Sequence, residues 1–284
     1  MSKLLYANFF RVKRDKMFWI GFVFMAAMGI FLPLSNFWAI HRIVQETGER
    51  VDVPLEGVLF AFNLLVPFAA AIFCSLFVGT EYSDGAIRNK LVIGHRRTDI
   101  YLANLITCTA VSLLFAVVFI LTCGITGGLT LDGFQMEAKT IALYLLASVC
   151  VILVFNALFT CLAMLNQNKA VVAIITILSI LLLLFIALYV EGRLSEQEFW
   201  DAEFYMNDAG QIVNEPAMRN PNYISSPTVR SFLEFLYDFL PGGQAYQLAN
   251  AAAQHPGQMS LYSLLIAAVS TLIGMAAFRR KDIK

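Results

Sequence analysis

Glu81–Asn104 reads EYSDGAIRNKLVIGHRRTDIYLAN, a charged island between two apolar runs, Val58–Val78 and Ile100–Cys123. Asp84 is placed to accept from the free N–H groups of a helix start, and Gly94 to close that helix in a left-handed turn. Between them Ile87 and Leu91, four apart, share one face, while Arg88 and Asn89 turn away from it. His95, Arg96 and Arg97 follow, and Thr98 is placed to cap the next helix. These signals predict a short, partly amphipathic helix, stopped on both sides and slung between two membrane spans. Such a helix can press a face onto something outside the bilayer. Composition alone fits a solvated, positively charged loop equally well, so the rest of the chain must decide.

Hydrophobic residues make up 59% of the chain and charged ones 14%, with a mean hydropathy of +0.70. A soluble domain carries roughly 25% charged residues, so the chain is an integral membrane protein. Cys74, Cys108, Cys123, Cys150 and Cys161 all lie in apolar runs and are expected to pack rather than to form disulfides or ligate metal. The first apolar run, Met17–Trp38, is too long for a signal-peptide core, so no cleavable signal is expected.

Residues 1–16 carry Lys3, Arg11, Lys13, Arg14 and Lys16 against Asp15, with Leu5, Phe9 and Val12 at helical spacing and Leu4 and Phe10 at the margins. That pattern predicts an interfacial amphipathic helix, apolar side down and cations toward anionic lipid. Six apolar runs of 18 to 25 residues follow: Met17–Trp38, Val58–Val78, Ile100–Cys123, Ile141–Leu165, Ala170–Val190 and Leu261–Phe278. About 20 residues cross a hydrocarbon core, so the fold class is all-α with six transmembrane helices. Pro33 and Pro67 are expected to kink the first two. The division is then an interfacial helix at 1–16, spans one to five at 17–190 with a loop at 79–99, an outer segment at 191–260, and the sixth span with a basic tail at 261–284.

Lysines and arginines set the orientation. With both termini inside, the inner segments 1–16, 79–99, 166–169 and 279–284 hold 14 of the 20 basic residues and 5 acids, a balance of +9. The outer segments 39–57, 124–140 and 191–260 hold 6 basic residues and 15 acids, a balance of −9. The expected topology is N-in, C-in, with the opening stretch cytoplasmic and 191–260 extracellular. In that outer segment Ser195 with Glu198, and Ser231 with Glu234, each fit a capping box opening a helix. Pro241-Gly242-Gly243 is expected to stop the second, and Asn207–Pro227 to be irregular. Seventy residues are too few for an independent core, so an outer cap is expected, with a membrane-dipping hairpin before the last span as the alternative.

No phosphate-binding G-x-x-x-x-G-K-[ST], no H-E-x-x-H and no G-x-S-x-G occurs, and His41, His95 and His255 are scattered. No catalytic or metal-ligating set is therefore expected. Across the six apolar runs there is no Asp, Glu, Lys, Arg or His, whereas proton-coupled carriers hold ionisable groups at membrane depth. If this chain moves a solute uphill, the energy arrives from outside the membrane. A soluble ATPase docking on the cytoplasmic face near Asp84–Ile93 is the economical source. Of the polar residues inside the spans, Asn63, Asn104 and Asn156 are costliest to leave unpaired in lipid, which makes them candidates for a translocation path. Their other reading is interhelical hydrogen bonding, at roughly 0.6 to 2 kcal/mol each.

The segment Gly79-Thr80-Glu81-Tyr82-Ser83-Asp84-Gly85-Ala86-Ile87-Arg88-Asn89-Lys90-Leu91, continued by Gly94, Arg97, Ile100 and Tyr101, resembles the cytoplasmic loop of type 2 ABC exporter permeases. It is most similar to small six-span bacterial subunits related to bacitracin- and lantibiotic-resistance permeases. The resemblance extends to the layout: basic interfacial helix, six spans, charged loop after the second, large outer segment before the sixth. It implies a coupling helix seated in a groove of an ABC ATPase subunit, with Glu81, Gly85 and Arg88 marking the coupling region and Asp84, Ile87, Leu91 and Arg97 around them. It also implies a second permease copy, identical or not, alternating access driven by ATP, and a bacterial cytoplasmic membrane. ATP and Mg would bind the partner and no cofactor this chain; lipids surround it, and no nucleic acid is implied. Substrates typical of the resemblance are amphipathic peptides, antibiotics or lipids. A stand-alone channel or gradient-driven carrier, and a membrane sensor or scaffold using 191–260, remain the alternatives.

Overall fold

The computed structural model describes residues 1–48, 52–199, 203–206, 212–215 and 218–282. Among these, six helical stretches are long and apolar enough to cross a membrane. They are α2 (Lys16–Thr47), α3 with α4 (Glu56–Leu59, Phe62–Ser83), α6 (Arg97–Thr130), α7 (Ala138–Leu165), α8 (Lys169–Ser195) and α11 (Pro256–Arg280). Shorter helices are α1 (Ser2–Arg14), α5 (Ala86–Val92), α9 (Pro227–Phe239) and α10 (Pro241–Ala249). α2 and α4 run on through Pro33 and Pro67. The glycine-bearing stretch 124–128, expected to lie outside the third span, is helical and part of α6.

The second span is the axis of the bundle: α4 packs against α6, α7 and α8. Phe62, Phe73 and Phe77 of α4, Phe115 and Phe119 of α6, and Phe155 and Phe159 of α7 are all fully buried. α2 lies along α6, and α11 along α7. Gly29 makes the first of these close, since a Cβ there would come within 2.9 Å of the Phe119 carbonyl oxygen. α2, α8 and α11 turn Phe31, Phe185 and Leu272 outward, as lipid-facing helices do, because hydrocarbon is as good a neighbour for them as protein.

α1 lies against α6, through a face that shares Val12, and in part Leu5, with the expected Leu5–Phe9–Val12 stripe. Leu4, Asn8 and Val12 are buried, while Phe9 and Phe10 are exposed. Hydrophobic periodicity misses this face because a polar residue, Asn8, stands at its centre. Asp15 then opens α2, its carboxylate accepting from Met17 N at 2.7 Å.

At the end away from α5, the buried Glu56 carboxylate accepts the backbone N–H of Gln135 at 3.0 Å and of Met136 at 2.9 Å. It thereby clasps the α6–α7 connection to the start of the second span. Ser195 ends α8 rather than opening a helix, its hydroxyl donating to Gly192 O. α9 starts at Pro227, four residues before Ser231, and Glu234 pairs with Arg230 instead of capping. Within Asn207–Pro227, Ile212–Glu215 is a strand paired antiparallel with Glu203–Met206. These β-prone apolar and aromatic residues suit a strand; 207–211 and 216–217 lie outside the described residues.

Pro241-Gly242-Gly243 stops α9 but also starts α10, because proline is tolerated in a helix's first turn and the glycines serve packing. A Cβ on Gly242 would sit 2.5 Å from the carbonyl oxygen of Leu183, near the midpoint of α8. Thus α9 runs back along α8 to about half its depth and α10 returns, packed on α4, α7 and α8. The Ser263 hydroxyl of α11 bonds the buried Gln244 of α10. α9 and α10 thus form a helical hairpin packed against the long helices.

Candidate coupling site

α4 ends at Ser83, with Asp84 at its C-cap. Gly85, at φ 68°, turns the chain directly into α5. A left-handed residue is needed there, and glycine takes it without steric cost. Asp84 therefore does not cap α5: its exposed carboxylate accepts from the neighbouring Ser83 hydroxyl at 3.3 Å. At the far end Gly94 has φ 93°. His95 N donates to Lys90 O and Gly94 N to Leu91 O, the paired pattern that closes a helix through a left-handed glycine. α6 begins at Arg97, so Thr98 stands inside its first turn rather than at the cap.

Beneath α5 lies a buried carboxylate. Glu81, 1% exposed, sits in the last turn of α4. Its Oε1 accepts from Arg11 of α1 at 2.6 Å and from Lys90 of α5 at 2.5 Å. Its Oε2 accepts from Asn104 Nδ2 of α6 at 2.9 Å. Asn8 of α1 completes the cluster, donating to Asn104 Oδ1 at 2.9 Å and accepting from Lys90 Nζ at 3.3 Å. Arg11 also donates to Phe77 O at 2.7 Å and stacks 3.7 Å above the Phe77 ring. One carboxylate thus joins four helices. Burying a charge is costly unless it is paired and hydrogen-bonded, and Glu81 has two cations and an amide.

The faces of α5 divide differently from the expectation that Ile87 and Leu91 meet a partner. Ile87 is fully buried and Leu91 packs on the same core, so this pair holds α5 to its own chain. Arg88 and Asn89 are exposed, and Val92 and Ile93 are 81% and 78% exposed at the helix's end. A cavity of about 280 Å³ opens beside them, lined by Glu81, Tyr82, Ser83, Arg88 and, from the α7–α8 link, Gln167. Arg97 faces inward: it donates to Phe278 O at 2.9 Å and to Lys281 O, tying α6 to the end of α11. Lys281 in turn donates to Tyr82 Oη and Met164 O, each at 3.1 Å. Burial pulls its ammonium below the usual lysine pKa. These contacts place both ends of the chain at the α5 end of the bundle.

The three asparagines are fully buried inside the single-chain bundle. Asn104 belongs to the Glu81 cluster. Asn156 accepts from Ser112 at 3.1 Å and donates to Ile152 O at 2.8 Å, linking α6 to α7. Asn63 donates to Phe60 O at 3.0 Å, with its Oδ1 unpartnered. Asn104 and Asn156 thus carry interhelical bonds. Asn8, Arg11, Lys90 and Glu56 escaped sequence reasoning. Asn8 alone left a signal, a polar residue four from both Leu4 and Val12.

No curated protein matches the chain. The family described as ABC-2 family transporter protein matches residues 4–183, which takes in α1, the Glu81 cluster, α5 and the spans as far as the middle of α8. That family supplies the membrane component of an ABC permease, a transport part that is not itself catalytic and works with an ABC ATPase. With well over half its length matched, this multi-pass membrane chain belongs to the ABC-2 transporter family.

Proposed function

We propose that this chain is the membrane-spanning subunit of an ATP-driven exporter in a bacterial cytoplasmic membrane, moving an amphipathic peptide, antibiotic or lipid. Two copies, identical or not, form the cleft, and a separate ATPase subunit docks on the end holding α5. The charge balance of +9 against −9 supports assigning that end to the cytoplasm, with the termini inside and 191–260 outside. The observation that carries the reading is α5 itself. Its inner face is locked by Ile87 and by the Lys90–Glu81 pair, while Arg88, Asn89, Val92 and Ile93 are offered outward.

Glu81 holds α5, α1 and α6 at once, so a push on α5 displaces α1, α4 and α6 together instead of flexing a hinge. Packed elements of this kind switch between discrete arrangements rather than deforming smoothly. The work of ATP binding then reaches the cleft without any Asp, Glu, Lys, Arg or His in the apolar runs. Affinity purification followed by reconstitution tests the reading: an ABC ATPase should co-purify, and transport in proteoliposomes should require ATP. Accumulation with no nucleotide-hydrolysing partner would overturn it.

A further inference from the structure

We propose that the cleft between the start of α6 and the end of α11 binds the phosphodiester headgroup of one anionic phospholipid. The cleft has a volume of about 540 Å³ and is lined by Arg96, Arg97, Thr98 and Arg279. Arg97 is fixed by its bonds to Phe278 O and Lys281 O. Among the described residues, the guanidiniums of Arg96 and Arg279 make no hydrogen bond or ion pair. Two unpaired guanidiniums beside a third that is held in place form a recognition set for phosphate, which matches their forked donors. The N-terminus of α6 lacks a side-chain cap and adds free N–H donors to the same wall. The nearby acids are Asp99, the residue after Thr98 in α6, and Asp282 in the tail; neither lines the cleft.

A lipid is favoured over a free anion by position. The apolar run of α6 begins at Ile100 and that of α11 ends at Phe278, so the cleft sits where headgroups meet hydrocarbon. Ile106 on α6 and Leu272 and Ile273 on α11 are exposed and offer apolar surface for acyl chains. The inference stands apart from the coupling reading, since it needs neither the ATPase nor a second copy.

Native mass spectrometry of the purified, delipidated full chain, titrated with phosphatidylglycerol or phosphatidylcholine, tests it. One tight phosphatidylglycerol adduct is expected, and none of comparable strength with phosphatidylcholine. Arg96→Gln with Arg279→Gln should weaken that adduct roughly 30-fold, the weight of two cations near an anionic headgroup. A Lys13→Gln, Arg14→Gln control on exposed α1, with the same charge loss, should leave it unchanged. Arg96→Lys with Arg279→Lys should restore only part of it, because the charge returns without the forked donors. If the double glutamine variant cannot be purified, Arg279→Gln alone carries the comparison, with a roughly fivefold loss expected from one cation. Equal loss in the α1 control, an adduct indifferent to headgroup, or displacement by millimolar inorganic phosphate would overturn the proposal. So would an unaltered adduct in the cleft variants.

Discussion

Glu81 and Lys90, separated by the single left-handed turn at Gly85, form an ion pair at 2.5 Å on the inner side of α5. The Glu81 side chain is wholly buried, whereas Lys90 is 16% exposed and the second cation, Arg11, 34% exposed. The carboxylate therefore depends on its partners more than they depend on it.

That asymmetry predicts an order of costs. Arg11→Met or Lys90→Met alone leaves Glu81 one cation and should destabilise the protein by about 1 to 2 kcal/mol. Both together strand a buried charge and should cost about 3 to 5 kcal/mol, more than the two single effects combined. Unfolding of the four proteins in mixed micelles checks this as a double-mutant cycle. Strict additivity would mean that the cluster does not act as a unit.

Arg88 is exposed and its side chain makes no hydrogen bond or ion pair among the described residues. Arg88→Glu should change stability by less than about 0.5 kcal/mol, as an unengaged surface position does, yet lower ATP hydrolysis by the assembled transporter. Unfolding midpoint and hydrolysis rate, measured on the same preparation, check the separation. A variant with normal hydrolysis would argue against docking on this face.

At Gly242 the backbone of α10 meets the backbone of α8. Gly242→Ala should cost about 1 to 3 kcal/mol through overpacking, because the Leu183 carbonyl cannot rotate away. Gly257→Ala, with nothing within 4 Å of the added Cβ, should be neutral or stabilise by up to about 1 kcal/mol. Thermal unfolding in detergent distinguishes the pair, and equal effects would contradict the close docking of the hairpin.

Glu56 closes the opposite end. Glu56→Ala leaves two backbone donors without their acceptor and should cost about 1 to 3 kcal/mol. A cysteine placed at Gln135 should then react faster with a maleimide than it does in the parent protein. An unchanged rate would mean that the clasp does not hold the α6–α7 connection.

Where the chain was legible, one physical rule dominated. Runs such as Val58–Val78 announce spans because nothing else tolerates so many consecutive apolar residues, and Gly94 announces a helix end because a left-handed turn favours glycine. The buried polar cluster was opaque for the converse reason. Asn8, Arg11 and Lys90 look like surface residues by type, and only the approach of α1, α4, α5 and α6 pairs them with Glu81. Asp84 misled because a residue that can cap a helix was displaced by a glycine that both ends α4 and begins α5. Pro241-Gly242-Gly243 misled likewise: the same residues that end a helix also permit the tightest helix packing. Ile87 and Leu91 formed the expected stripe, but amphipathicity gives a face without saying which neighbour it meets.

The central claim is that an ATPase meets α5 on its outward face. Photo-crosslinking from the assembled transporter, with a benzophenone residue in turn at Ile93, Arg88 and Ile87, tests it most directly. Crosslinks from 93 and 88 to a nucleotide-binding subunit, and crosslinks from 87 only within the permease chain, are the predicted result. No crosslink to a nucleotide-binding protein from 93 or 88, or an equally strong one from 87, would contradict the account.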